Sequence, residues 1–223
     1  MRASLWSWAS NRTSNPVVAA IAARDALLYA VLWETGLRAG DALRLMAQAV
    51  TPISDDCGRG GLQLKVVRAK RVLCDNDQYT MVVWDSGTKF ALPKVYKIYM
   101  TALDALAILP LERHGPLFRG ISVTDEGVGV LGSGCAWAEI DRHYKDTLTG
   151  LKFPAEVRRH VTLHSFHGSR AARERAQGIP PEETCRSMHW SRDMYDYYTE
   201  GRIPMSVDNV FIMTTAETVT PLI

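Results

Sequence analysis

Three stretches near the end of the chain decide its reading: TLHSFHGSRAA (Thr162–Ala172), GIPPEE (Gly178–Glu183) and MHWSRDMYDYY (Met188–Tyr198). The first reads as a helix over His164–Gln177, closed by Gly178, the residue that most easily takes the left-handed turn after a helix. Pro181 stands where a helix tolerates proline, at its start, and predicts Pro181–Met188. Arg192–Thr199 reads as a short third helix. His164 and His167 lie one turn apart and share a face. Tyr195, Tyr197 and Tyr198 offer three phenols on the last helix.

Working back toward the start, Asn15-Pro16 predicts a helix cap, and Val17, Val18, Ile21, Leu28, Val31 and Leu32 recur at helical spacing up to Gly36. A second helix is expected over Ala39–Ala47, and Thr51–Gly61 reads as turn material. Leu62–Val72 and Gln78–Trp84 are rich in Val, Leu, Tyr and Thr and predict a β-hairpin. Further helices are expected at Lys94–Ile108 and Ala136–Thr147. Gly115–Gly134 reads as a glycine-rich loop with a short strand at Leu117-Phe118. Val210–Met213 is strand-like but has no clear partner. The expected fold class is α+β, mainly α-helical with a small antiparallel sheet. The expected organisation is a flexible arm over 1–15, one domain over 16–202 and a tail over 203–223.

The 223 residues suit one sizeable core. An apolar fraction of 47% and a charged fraction of 22% are ordinary for a globular protein. No apolar run approaches the roughly 20 residues a membrane helix needs. The first residues are too short and polar for a secretory leader, so the nucleus or cytoplasm is expected. Four scattered cysteines, with no CxxC pair, argue for reduced thiols and against a zinc site. A net charge of +2 does not announce a nucleic-acid binder, but Leu62–Lys97 holds seven Lys/Arg against three Asp.

Far upstream stands E-T-G-L-R-A-G-D-A-L-R-L (Glu34–Leu45), where Gly36 lets the chain turn so that Arg38 projects from a helix start. Asp41, one turn on, is placed to hold that arginine. Together with H-S-F-H-G-S-R and H-W…Y, this stretch resembles the tyrosine recombinase (phage integrase) family. His167 to Gly178 is eleven residues, Gly178 to Trp190 twelve and Trp190 to Tyr198 eight. The last count is similar to DIRS-like and crypton-like mobile-element recombinases. Counting from His189 gives nine, as in the bacterial branch.

The resemblance implies a catalytic domain that cleaves and rejoins double-stranded DNA through a 3′-phosphotyrosyl intermediate, with no metal or cofactor. It implies Arg38, Lys70, His164, His167, Trp190 and Tyr198 as site residues, with Tyr198 the nucleophile. Lys70 is preferred as the hairpin lysine, and Lys89 is its rival. Self-association on DNA through the C-terminal tail is also implied. The family's helical core-binding domain has no counterpart in the first fifteen residues, so a fragment or a weaker DNA grip is expected. Where the family has the arginine of H-x-x-R, this chain has His167. Loss of one charged oxyanion contact costs on the order of 3–4 kcal/mol. Arg170, one turn further, is a possible substitute. A degenerate DNA-binding remnant of a mobile element and a type IB topoisomerase-like enzyme are the competing readings.

Overall fold

The computed structural model describes residues 15–67, 78–88, 90–106, 114–124 and 127–200. Helix α1 (Pro16–Thr35) starts where proline and asparagine predict: the Asn15 side chain accepts from the Val17 amide at 2.9 Å. It stops at Gly36, whose φ of 66° turns the chain left-handed while its N–H bonds the Leu32 carbonyl. The helix is apolar all round rather than along one stripe, because it is the centre of the core. Leu27, Leu28 and Leu32 are fully buried. Its 20 residues are long and apolar enough to cross a membrane, contrary to the sequence expectation. Here they are mostly packed inside the protein, and the helix carries Arg24 and Asp25 within that core.

Helix α2 (Ala39–Leu43) is shorter than expected, and a 3₁₀ turn at Ala47–Ala49 follows. Strands β1 (Val50–Ser54), β2 (Gly60–Val67) and β3 (Gln78–Trp84) form an antiparallel sheet in the order β1-β2-β3. Strand β1 corrects the reading of Thr51–Gly61 as turn throughout. Pro52 suggested a turn, yet an edge strand tolerates proline because one side of it has no ladder to complete. Val50, Leu64 and Met81 stand in register and are buried. Residues 68–77 and 89, with Lys70 and Lys89 among them, lie outside the described residues.

Helix α3 (Leu92–Asp104) packs on α1, and buried Tyr99 donates its hydroxyl to the Leu117 carbonyl at 3.0 Å. The glycine-rich stretch is a second hairpin, β4 (Arg119–Thr124) with β5 (Gly127–Gly134). This corrects the loop reading, and Leu117-Phe118 precedes the strand instead of forming it. Helix α4 (Trp137–Gly150) buries Ile140, Tyr144 and Leu148, and a short α5 (Ala155–His160), not expected from the sequence, follows. Then come α6 (Ser165–Ala176), α7 (Pro181–Met188) and α8 (Arg192–Thr199). Val210–Met213 and the remaining tail lie outside the described residues.

One buried ionic group ties distant segments. Arg24 is fully buried and bonds Asp25 at 2.9 Å, Glu139 at 2.8 Å and the Arg119 carbonyl at 3.2 Å. His143 bonds the second oxygen of Asp25 at 2.7 Å. A buried guanidinium is tolerable only when its donors are met in this way. A second, smaller core of Ala171, Met188 and Tyr195 joins α6, α7 and α8.

Candidate active site

The turn after α1 is built to present Arg38. Thr35 closes the helix through its own hydroxyl, which donates to the Val31 carbonyl at 2.6 Å and accepts from the Leu37 amide at 3.1 Å. Left-handed Gly36 then swings the chain out. A side chain there would strike Met188 and Arg170, so glycine is required twice over. Arg38 follows in extended conformation as the cap residue of α2, half-buried.

His164 sits at the cap of α6, just before its first turn, and is exposed. His167, on the first turn, is buried, and the two imidazole centres are 5.6 Å apart. Nδ1 of His167 donates to the Gly36 carbonyl. Its ring lies edge-on to Trp190 at 4.7 Å and to Tyr198 at 5.3 Å. Trp190 and Tyr198 are 4.9 Å apart. The phenol oxygen of Tyr198 is 3.1 Å from Nε2 of His164. Four sequence-derived residues therefore form one aromatic cluster, and the turn carrying Arg38 is bonded to it through His167.

A cleft of about 280 Å³ opens beside the cluster. Its walls are the 35–38 turn and Asp41, Tyr79 and Met81 of β3, His167, and the segment from Met188 to Ser191. Burial pushes the Tyr198 phenol above its ordinary value, while the nearby Arg38 charge opposes that rise. A neutral phenol is a weak nucleophile, and a base at hydrogen-bond range and a nearby cation are features that can activate one.

Trp190, not His189, contacts His167 and Tyr198. His189 takes a left-handed conformation at the end of α7, and its ring packs on Tyr79 at 4.1 Å. The Tyr198 ring lies directly over Gly168: a methyl group there would come within 2.8 Å of its Cδ1. Arg170, the candidate substitute cation, does not line the cleft. Its guanidinium donates to the Thr35 carbonyl at 2.8 Å, to Glu174 at 2.7 Å and to Ser187 Oγ at 3.0 Å. Sequence reasoning weighed His189 only as the alternative start of the count to Tyr198, and it missed the contribution of Gly168. A glycine in the first turn of a helix, three residues after Ser165, was the readable signal for Gly168. Among the described residues, no group of three His, Cys, Asp or Glu gathers to hold a metal ion.

No family model and no curated protein matches the chain. Solved structures do. XerH site-specific recombinase bound to palindromic difH substrate, a post-cleavage complex, superposes with a TM-score of 0.59 at 14% identity, over 96% of this chain and 50% of that one. The pre-cleavage complex of XerH with difH substrate gives 0.59 at 14% identity, over 99% and 51%. The chain thus spans about half the length of these structures. At that identity the likeness speaks for the fold: this chain has the fold of a tyrosine recombinase catalytic domain.

Proposed function

We propose that this chain is the catalytic domain of a DNA strand transferase of the site-specific recombinase type. Tyr198 attacks a phosphodiester, the bond from phosphorus to the 5′-oxygen breaks, and a 3′-phosphotyrosyl bond forms. His164 takes the phenol proton through Nε2. Arg38 meets the non-bridging oxygens, where a guanidinium fork suits phosphate geometry. Trp190 packs the nucleophile in place. The leaving 5′-oxygen takes a proton from Lys70, or from Lys89. Attack by that hydroxyl on the phosphotyrosine reseals the strand.

One observation carries the reading: the Tyr198 hydroxyl is at 3.1 Å from His164 Nε2, in a cluster whose His167 is bonded to the turn that presents Arg38. The likeness to a recombinase with its substrate before and after cleavage supports it. Contact between Trp190 and Tyr198 favours the eight-residue count, and with it an origin in a DIRS-like or crypton-like mobile element. The partner is double-stranded DNA, in the nucleus or cytoplasm, and the tail over 203–223 is assigned to self-association on it.

A duplex nicked close to the cut, which lets the short 5′-hydroxyl strand diffuse away, tests the proposal. The expected product is a denaturation-resistant protein–DNA adduct that Tyr198→Phe abolishes. A second reading, a DNA-binding remnant without cleavage, is favoured by the imidazole at position 167. Bound DNA with no adduct from the native chain would decide for the remnant.

A further inference from the structure

Two consecutive carbonyls at the end of α1 are taken up by two side chains of α6. Thr35 accepts from Nη1 of Arg170, and Gly36 accepts from Nδ1 of His167. These side chains are three positions apart on α6 and so share a face. Carbonyls at a helix C-terminus lack partners within the helix, so an outside donor both satisfies and orients them. Arg170 is itself held by Glu174 and Ser187, which makes it a rigid donor. Arg38 stands two residues beyond the second carbonyl.

We infer that His167 is a positioning residue which, with Arg170, clamps the turn that presents Arg38, and that its working atom is Nδ1. The inference rests on the role given to Arg38 above. A carbonyl only accepts, so Nδ1 carries the proton. In the neutral ring, Nε2 is then an acceptor and has nothing to donate to a phosphate. His167 therefore does a different job from the arginine whose register it occupies: it holds the first cation in place instead of supplying a second. The pair on α6 also explains why H-G-S-R repeats the spacing of the motif without supplying a second phosphate ligand.

Asparagine places its amide nitrogen near the position of Nδ1, and glutamine near that of Nε2, so the two substitutions separate the roles. His167→Asn keeps the donor but loses the ring against Trp190 and Tyr198, and is expected to form adduct more slowly than the native chain and faster than His167→Gln. His167→Gln is expected to lose roughly tenfold or more in adduct rate with DNA affinity little changed, the signature of a displaced group. Amide exchange at Gly36 and Leu37 should quicken in His167→Gln and in Arg170→Lys, but not in His167→Asn. Ring ¹⁵N shifts of the native chain should show the proton on Nδ1. An active His167→Gln with an inactive His167→Asn would overturn the clamp, as would a proton on Nε2 or exchange at Gly36 and Leu37 unmoved by any variant. If the native chain forms no adduct, the strand-transferase reading fails, and the exchange and ¹⁵N measurements still decide the clamp.

Discussion

Gly168→Ala is the sharpest probe of the seat of Tyr198, the proposed nucleophile. The added methyl would lie 2.8 Å from Tyr198 Cδ1, and ordinary carbon–carbon contact needs about 3.5 Å, so the ring must retreat by about 0.7 Å. Two stability effects oppose each other. Overpacking costs about 1–3 kcal/mol. Replacing glycine by alanine inside a helix returns about 1 kcal/mol. The net change is small, about 2–4 °C of melting temperature per kcal/mol for a domain of this size. Geometry at the phenol suffers far more. A misplacement of about 1 Å is worth about a hundredfold in rate, so the retreat predicts a loss of about 10- to 100-fold in single-turnover adduct formation. The assay uses the nicked duplex, with melting and DNA affinity measured on the same preparation. A native adduct rate in Gly168→Ala, with the fold intact, would refute the packing of Tyr198 on α6 as the seat of the reactive phenol.

Gly36→Ala should lower stability by about 1–3 kcal/mol, because the position is left-handed and the methyl strikes Met188 and Arg170; denaturant titration reads this directly. Burial pushes the Glu139 carboxyl up, but the Cys135 thiol and the Arg24 guanidinium outweigh it and hold the carboxyl below its ordinary value. Its contribution to stability is therefore present above the ordinary glutamate value of about 4.3 and is lost as pH falls through the lower folded value. Glu139→Gln should flatten that acid limb in denaturation curves taken across pH. DNA binding should weaken steeply with salt and discriminate little between sequences, since phosphate contacts dominate such affinity; filter binding at several salt concentrations measures the slope.

Local chemistry made much of the fold readable. Asn15-Pro16 and Gly36 bracket α1, while Pro181–Met188 and Arg192–Thr199 fall where their start and stop residues predict. The second hairpin was not readable, because the glycines of β5 signal loop locally and only the pairing with β4 makes them strand. Strand β1 was hidden by Pro52, which is harmless only at a sheet edge. At the candidate site, the spacing singled out His164, His167, Trp190 and Tyr198, which the fold brings into one cluster, since spacing records positions along helices and the links between them. It could not reveal that Arg170 faces the Thr35 carbonyl, 135 residues away, or that Arg24 meets Glu139 across 115. Such pairings belong to tertiary packing and leave no periodic mark.

The helix that carries Tyr198 is lightly moored. Helix α8 has eight residues, and Tyr195 is its one buried side chain. It is further held by Arg192, which pairs with Glu182 at 3.0 Å, by Arg175, which donates to the Thr199 carbonyl at 2.7 Å, and by Tyr198, whose ring packs on Gly168 and Trp190 and whose hydroxyl meets His164. Local opening free energies run from near zero up to that of global unfolding, and an eight-residue helix with one buried side chain opens at lower cost than the core around α1. Opening of α8 alone would therefore leave the melting curve nearly unchanged, and a preparation could pass every bulk test of foldedness with Tyr198 withdrawn from His164 and Trp190.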